Sequence, residues 1–270
     1  RSGATLREVG TTNRTKVADY ERAFGENTKM MLRVHPSNYR VVGFTSAPTV
    51  ADLATVAQKS NVILFEDIGS GAIADLAEYG INDEPSPAAS IAAGCDIVAF
   101  SGDKLLGGPQ CGIIAGRSEL IDRLRKHPLY RALRVDKLTY AALGATLESY
   151  ERGNEFTEIP ALASLSETRS SVQVRANELI HKLMTSEHLK VEVVNGNSAV
   201  GGGSAPLTQP ETALIALDHE TISAEEIASK LRANEPPIIT RIEDERVMID
   251  LRTVAMNEES ELVDAINSLG

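Results

Sequence analysis

The sequence predicts an α/β fold, with a mostly parallel sheet in a large first domain and a smaller α+β domain after it. Short apolar runs typical of buried strands alternate with segments of helical period through the first part of the chain. This alternation favours parallel strands joined by crossover helices. After Ile159-Pro160 a long helical stretch leads into a pattern of the βαββα type. We therefore predict a large domain over residues 1–159 and a small domain over residues 160–270.

Each element of the first domain is predicted from a local signal. Apolar runs predict strands at residues 4–9, 29–34, 61–65, 97–100 and 112–115. Helical periodicity predicts helices at residues 16–24, 49–59, 86–93, 117–126 and 136–152. Thr49 and Asp136 stand at helix starts, where side-chain oxygens can cap free backbone N–H groups. In such sheets ligands bind beyond the carboxyl ends of the strands.

The second domain has a different order of elements. One long helix is expected over residues 161–186. The elements predicted after it are strands at 189–194 and 213–217, a helix at 223–233, a hairpin of 238–242 with 247–251, and a helix at 258–269. Residues 201–204 are glycine-rich but lack the strand-then-helix context of a nucleotide loop. We therefore interpret them as a flexible connection.

Composition restricts the class of protein. The chain has 270 residues, 42% of them apolar, and no apolar stretch approaches the roughly 18 residues of a membrane span. No secretory signal is visible, and Cys95 and Cys111 match no disulfide framework or metal motif. With the five histidines scattered, we expect a soluble cytoplasmic protein without a metal and without a membrane partner.

Charge and the start of the chain add two expectations. The net charge of −11 argues against non-specific nucleic-acid binding, which usually needs basic patches. The chain begins at Arg1 within what reads as an ordered segment. We therefore expect an N-terminal part of the first domain to be missing.

The strongest candidate for chemistry is a glycine-rich loop over residues 101–109, with the sequence Ser-Gly-Asp-Lys-Leu-Leu-Gly-Gly-Pro. It holds Lys104 between two apolar strands, so the amine lies at a strand end. A desolvated lysine there can form a Schiff base with an aldehyde cofactor. Ser101 and the glycines suit a loop that brings backbone N–H groups close to a phosphate. The alternative is a surface lysine in a glycine-rich hairpin.

An aldehyde cofactor on Lys104 implies pyridoxal 5'-phosphate, whose pyridine nitrogen needs a carboxylate partner to stay protonated. Asp67 follows an apolar strand 37 residues before Lys104, and neighbouring parallel strands would place the two side chains on opposite sides of one pocket. Asn38, at an earlier strand end, could donate to the phenolic oxygen of the cofactor. The alternatives are a helix cap or turn former for Asp67 and a turn residue for Asn38.

Five segments carry a resemblance to a known family, namely residues 3–15, 34–39, 67–71, 101–110 and 127–137. The order of Asn38, Asp67 and Ser101-x-x-Lys104 resembles the fold type I, or aminotransferase-like, pyridoxal phosphate enzymes. The five segments more narrowly resemble the bacterial selenocysteine synthases, the L-seryl-tRNA(Sec) selenium transferases. The resemblance covers essentially the whole chain. In that family the missing N-terminal portion holds a small tRNA-binding domain, the first phosphate loop and the group that stacks on the cofactor ring.

The resemblance implies conversion of seryl-tRNA(Sec) to selenocysteinyl-tRNA(Sec), with selenophosphate as the selenium donor. The reaction would proceed through a cofactor aldimine and a dehydroalanyl intermediate, with Lys104 removing the Cα proton. Asp103 would help to position the donor or the lysine. The resemblance also implies a homo-oligomer built from dimers. If the missing segment grips the tRNA, an acidic remainder is tolerable.

The resemblance assigns further residues to substrate binding. Arg131 and Arg134 are three residues apart, would share a face if helical, and would bind the anionic donor. A solvated basic face is the alternative for this pair. Arg14 would reach an active site shared across a subunit interface. Arg252 lies where relatives that act on free amino acids bind the carboxylate, but the seryl carboxylate would be esterified, which leaves that role open.

Two other functions are compatible with the sequence. The first is a related pyridoxal phosphate lyase that acts on a small amino acid or sugar acid without tRNA. The second is a catalytically silent scaffold that contributes surfaces to an assembly or to tRNA binding. The joint presence of Lys104, Asp67 and Ser101 favours an enzyme over a scaffold.

Overall fold

The computed structural model describes residues 3–82, 84–184, 186–201 and 204–270. The chain forms two compact units. The first runs to Ala161 and also includes Gly201–Leu207, and the second comprises Leu162–Val200 and Thr208–Gly270. Gly202 and Gly203, in the predicted flexible connection, lie outside the described residues.

The first unit is built on a mixed four-stranded sheet in the order β1-β2-β3-β4. Its strands are β1 (Met30–Val34), β2 (Ile63–Gly69), β3 (Ile97–Ser101) and β4 (Gly112–Gly116). β1, β2 and β3 run parallel, whereas β4 is antiparallel to β3. The reversal follows from the short glycine-rich loop, since a parallel pairing would need a longer crossover connection. The predicted α/β class with a mostly parallel sheet is confirmed for this unit.

The helices of the first unit are α1 (Val17–Ala23), α2 (Val50–Lys59), α3 (Pro87–Ala92), α4 (Ser118–Lys126), α5 (Pro128–Leu133), α6 (Lys137–Glu151) and α7 (Glu155–Glu158). Both predicted caps are confirmed. The Thr49 hydroxyl accepts from the Asp52 N–H at 3.1 Å, and the Asp136 carboxylate accepts from the Thr139 N–H at 2.8 Å. Each satisfies a backbone N–H group that the helix itself leaves unpaired.

The second unit contains an antiparallel sheet in the order β5-β6-β8-β7. Its strands are β5 (Leu189–Asn197), β6 (Glu211–His219), β7 (Arg241–Glu243) and β8 (Arg246–Asp250). The helices from residue 160 onward are α8 (Pro160–Ser166), α9 (Arg169–His181), α10 (Ala224–Arg232) and α11 (Glu259–Asn267). The last three helices pack on β6 and β8 around an apolar core that includes Leu217, Ile227 and Ile266. None of the helices in the described ranges has the length and apolar character needed to cross a bilayer.

Two predicted elements are wrong. Residues 4–9 form no strand, because no neighbouring strand offers them a hydrogen-bonding ladder. The helix predicted over residues 161–186 is interrupted between α8 and α9. Thr168 caps α9 there, its hydroxyl accepting from the Ser171 N–H at 3.1 Å, because threonine side chains compete with helix continuation.

A buried arginine explains where α8 stops. Arg252 donates from Nη1 to the carbonyl of Ser164 at 3.0 Å and also to that of Glu167. Its Nε donates to Ser198 Oγ at 2.9 Å, and its Nη2 to the carbonyl of Glu211 at 2.8 Å. Burial lowers the pKa of Arg252, and the nearby carboxylates Asp250 and Glu167 offset part of this decrease. The guanidinium therefore joins the end of α8 to β6 within the second unit.

We predict that Arg252→Met destabilises the second unit by about 3 kcal/mol, because several buried carbonyls would lose a charged donor. Urea unfolding followed by circular dichroism measures the change. Arg232→Met is the matched control, since Arg232 is exposed at the end of α10. Equal unfolding midpoints for the two variants would contradict the structural role assigned to Arg252.

Candidate functional site

The floor of the candidate site is the face of the first sheet that carries Asp67. Along β2 side chains alternate between faces, so Asp67 lies opposite the fully buried Glu66, which contacts Arg33. Asp67 is in register with Val34 on β1 and Ala99 on β3. β2 extends past the predicted end at residue 65, so Asp67 is held inside the ladder rather than in a loop. A half-buried carboxylate is thus fixed near the carboxyl ends of three strands.

The loop after β2 lies tightly against the glycine-rich loop of residues 101–109, which carries Lys104 and is called the lysine loop. The Leu105 N–H donates to the Ser70 carbonyl at 2.9 Å. Gly71 has a φ of +70°, and a Cβ at this position would lie 2.5 Å from the carbonyl oxygen of Ser101. Glycine is required here because of both the backbone conformation and the approach of the neighbouring carbonyl.

The amine of Lys104 lies over Gly69. A Cβ built on Gly69 would lie 3.7 Å from Lys104 Nζ and 3.1 Å from Ser37 Oγ. The amine and a buried hydroxyl therefore converge at the end of β2, two residues after Asp67. This small cradle has an amine that can react with an aldehyde, a hydroxyl, and a nearby carboxylate that can accept from a protonated ring nitrogen.

The lysine loop is braced along its length. The Gly102 N–H donates to the Cys111 carbonyl at 2.9 Å, and the Gly108 N–H donates to the Gly102 carbonyl at 2.8 Å. From α6, the Tyr150 hydroxyl donates to the Leu106 carbonyl at 3.0 Å. Burial, with a smaller effect of Glu155, raises the pKa of Tyr150 to about 12, so the phenol stays a donor at neutral pH. The loop is therefore held from both the sheet and α6.

Three other predicted site residues are close in sequence to the residues that form this cradle. Ser101 is the last residue of β3, and its carbonyl faces Gly71. Asp103 precedes Lys104 and is exposed, and Asn38 is exposed next to the buried Ser37. The structure therefore brings together Lys104, the carboxyl end of β2 and the start of the loop after β1.

The predicted anion-binding arginines are placed differently. Arg131 lies in the last turn of α5, but Arg134 follows the helix with an extended backbone, so the two do not share a helical face. Both are exposed, and within the described ranges neither side chain forms a hydrogen bond or ion pair with the lysine loop. The Tyr130 and Tyr140 hydroxyls, 2.9 Å apart, join α5 to α6 beside them.

Arg14 belongs to a turn rather than to the cradle. The Arg14 N–H donates to the Thr11 carbonyl at 3.3 Å, and the backbone of Arg14 forms an isolated bridge with Ser46. Its exposed side chain is turned to solvent in the described unit. Any part for Arg14 in substrate binding therefore stays a prediction.

Sequence reasoning missed three groups near the site. Ser37 follows Pro36 within the family-like segment 34–39, but no role is predicted for it from the sequence. His35 and Glu84, whose side chains are 9% and 2% exposed, lie behind the cradle with Nε2 and Oε2 3.5 Å apart. Glu84 occurs in a loop without periodicity, so only the folded structure identifies it as buried.

Comparisons with known proteins show the family to which the sequence is similar. Residues 1–255 match the family model described as L-seryl-tRNA selenium transferase. The chain is 46% identical over 270 residues to the L-seryl-tRNA(Sec) selenium transferase of Alkaliphilus metalliredigens, covering 99% of this chain and 58% of that protein. It is 44% identical to that of Carboxydothermus hydrogenoformans, covering 96% of this chain and 56% of the relative. The chain therefore spans a little over half the length of these relatives.

A solved structure is similar in fold. D-glucosaminate-6-phosphate ammonia-lyase superposes with a TM-score of 0.62 at 22% identity, over 99% of this chain and 64% of that protein. At this identity the likeness supports the α/β fold alone and says nothing of a shared substrate.

We predict that Gly71→Ala destabilises the first unit by about 1–3 kcal/mol, because the added methyl would meet the Ser101 carbonyl at a positive φ. Thermal unfolding measures the change. Gly144→Ala is the control, since Gly144 lies within α6 with open space around it, and alanine should stabilise the helix by up to about 1 kcal/mol. Equal shifts for the two variants would contradict the tight approach of the two loops.

Proposed function

Because the chain belongs to the L-seryl-tRNA selenium transferase family, we propose that it carries the catalytic centre of an enzyme that converts seryl-tRNA(Sec) to selenocysteinyl-tRNA(Sec). The observation that carries this proposal is the position of Lys104 Nζ over Gly69, two residues beyond the strand-held Asp67. An amine and a carboxylate at neighbouring parallel strand ends suit chemistry at the α and β carbons of an amino acid.

The cofactor of this proposal is pyridoxal 5'-phosphate in an aminotransferase-like fold, with the second unit as its smaller C-terminal domain. When bound, the cofactor supplies an electron sink for the reacting amino acid. Lys104 would hold its aldehyde carbon, and Asp67 would keep its ring nitrogen protonated. Ser101 would bind the phosphate, and Asn38 would donate to the phenolic oxygen. The glycine at residue 69 supports the assignment of this cofactor, because the side chain of any larger residue would occupy the space next to the Lys104 amine.

The residues of the chain would then act on the seryl group. Lys104 Nζ would take the proton from Cα, and the bracing of its loop by Tyr150 and Ser70 would limit the amine to one position. The seryl group would lose its β-hydroxyl as water and gain selenium at the same carbon. Asp103, beside the lysine and exposed, would orient the incoming donor or the amine.

The selenium donor of this proposal is selenophosphate, an anion. Arg131 and Arg134 are exposed guanidinium groups, and no ion pair joins either to a carboxylate in the part of the chain that the structure describes. Arginines without an internal partner suit recognition of a phosphate-like anion. Arg14 would contribute to a site shared between subunits of a cytoplasmic homo-oligomer built from dimers.

The alternative lyase on a free amino acid is less well supported. Such an enzyme needs a cation that binds the free carboxylate, and Arg252 is the candidate for this role. Its Nε and both Nη groups already donate to Ser198 and to backbone carbonyls. An esterified serine makes no such demand, which agrees with the family assignment.

We predict that Lys104→Ala abolishes the visible Schiff-base absorption that the chain develops with pyridoxal 5'-phosphate, because Lys104 supplies the amine that lies over Gly69 in the described part of the chain. Exchange of the Cα proton of the seryl substrate should fall by about 10²–10⁴-fold. Lys126→Ala, at an exposed lysine of α4, is the control and should leave both unchanged. An unaltered spectrum in Lys104→Ala would refute the proposed role of this lysine.

We predict that Arg131→Gln and Arg134→Gln each raise the KM for selenophosphate roughly tenfold or more, because each removes one charge-assisted contact. Exchange of the substrate Cα proton, which needs no selenium donor, should stay unchanged. Arg123→Gln in α4 serves as the matched control for lost positive charge. A similar KM increase in all three variants would indicate general electrostatic attraction rather than a site.

A further inference from the structure

One buried carboxylate faces four residues from three other segments of the first unit. Glu84 Oε2 lies 3.5 Å from His35 Nε2, and Oε1 lies 3.8 Å from Arg40 Nη2. Oε1 also accepts from the Ala205 N–H at 3.0 Å. The Ser70 side chain also faces the carboxylate and lowers the pKa of Glu84, without a hydrogen bond of good geometry among the described residues. The Glu84 side chain is 2% exposed, so these contacts replace its hydration almost completely.

The charge of Glu84 is stabilised by these neighbours. Burial raises the pKa of the Glu84 carboxyl. His35, Ser70 and the Ala205 N–H together lower it by more than burial raises it, so the pKa lies below the ordinary value. The carboxylate is therefore ionised at neutral pH. Within the described residues His35 Nε2, Ser70 Oγ and Glu84 Oε2 are buried, and none of the three forms a hydrogen bond of good geometry. The Glu84 carboxylate, with Oε2 3.5 Å from His35 Nε2, is the charged acceptor that both donors face.

Two of these partners lead directly to the cradle. The Ser70 carbonyl accepts from the Leu105 N–H, next to Lys104. The His35 N–H donates to the Asp67 carbonyl at 2.8 Å, and His35 begins the loop that carries Ser37. Glu84 itself does not line the cradle, since its contacts lie on the loops behind it. The carboxylate joins the loop after β1 to the loop after β2.

We propose that Glu84 is a positioning residue that holds these two loops in register and thereby places the Lys104 amine over Gly69. The proposal depends on the proposed function only in naming Lys104 as the amine that binds the cofactor. A buried carboxylate with a purely structural role would change the stability of the whole unit. A positioning role acts first on the lysine loop, and the two are separable because local openings have their own free energies.

The test compares Glu84→Gln, which keeps the shape but removes the charge, with the wild-type chain of 270 residues. The first readout, made without cofactor, is hydrogen exchange of the Leu105 amide against the amides of β3. We expect Leu105 exchange to rise roughly tenfold or more while β3 exchange rises less. The second readout is the Kd for pyridoxal 5'-phosphate from absorption titration, expected to rise roughly tenfold or more. Glu21→Gln, at an exposed carboxylate of α1, should change neither.

Ser70→Ala is the second variant and removes only the hydroxyl between Glu84 and the lysine loop. It keeps the test decisive if Glu84→Gln does not fold, and we expect faster Leu105 exchange in it as well. Leu105 exchange that is unchanged, or that rises no more than that of β3, would overturn the positioning role. A wild-type chain that binds no cofactor would count against the proposed function instead, and the exchange readout would still decide the role of Glu84.

Discussion

The site depends on how closely two loops approach each other at the carboxyl ends of neighbouring parallel strands. The loop after β2 has Gly71 against the Ser101 carbonyl, and the Leu105 N–H bonds to Ser70. These contacts are possible only with glycine at residue 71, because a side chain would separate the loops. Once they approach, the amine of Lys104 is placed over Gly69. The parallel strands bring the two loops to the same edge of the sheet, and the backbone contacts between the loops set the position of the Lys104 amine.

Charged groups in this acidic chain fall into two kinds. The buried ones interact with other groups of the chain: Glu66 contacts Arg33, Glu84 faces His35, and Arg252 donates to carbonyl groups. Desolvation makes such groups costly unless each has partners, so each fixes the segments that it joins. Exposed arginines such as Arg131 keep their donors for solvent or a ligand. Among these groups, the buried charges organise the fold, whereas Arg131 is available to bind an anion.

Much of the fold could be predicted from the sequence, because strands with buried faces need apolar runs and helix starts need capping side chains. The Asp136 cap and the lysine loop between β3 and β4 are examples. Residues 4–9 have strand-like composition, but a strand also needs a ladder partner, which local sequence does not encode. The break before Thr168 and the burial of Glu84 depend on contacts between distant residues, such as Ser164 with Arg252. No pattern within one window contains such contacts.

The hydrogen bonds of Arg252 bear on both the fold and the proposed substrate. A guanidinium that donates from all its nitrogen atoms to Ser198 and to backbone carbonyls cannot turn toward a carboxylate without leaving buried acceptors unpaired. Loss of those bonds would cost more than one new ion pair returns. An amino acid whose carboxylate is masked as an ester needs no such cation. The second unit thus uses its buried arginine for its own architecture, and this use is compatible with the proposed aminoacyl ester substrate.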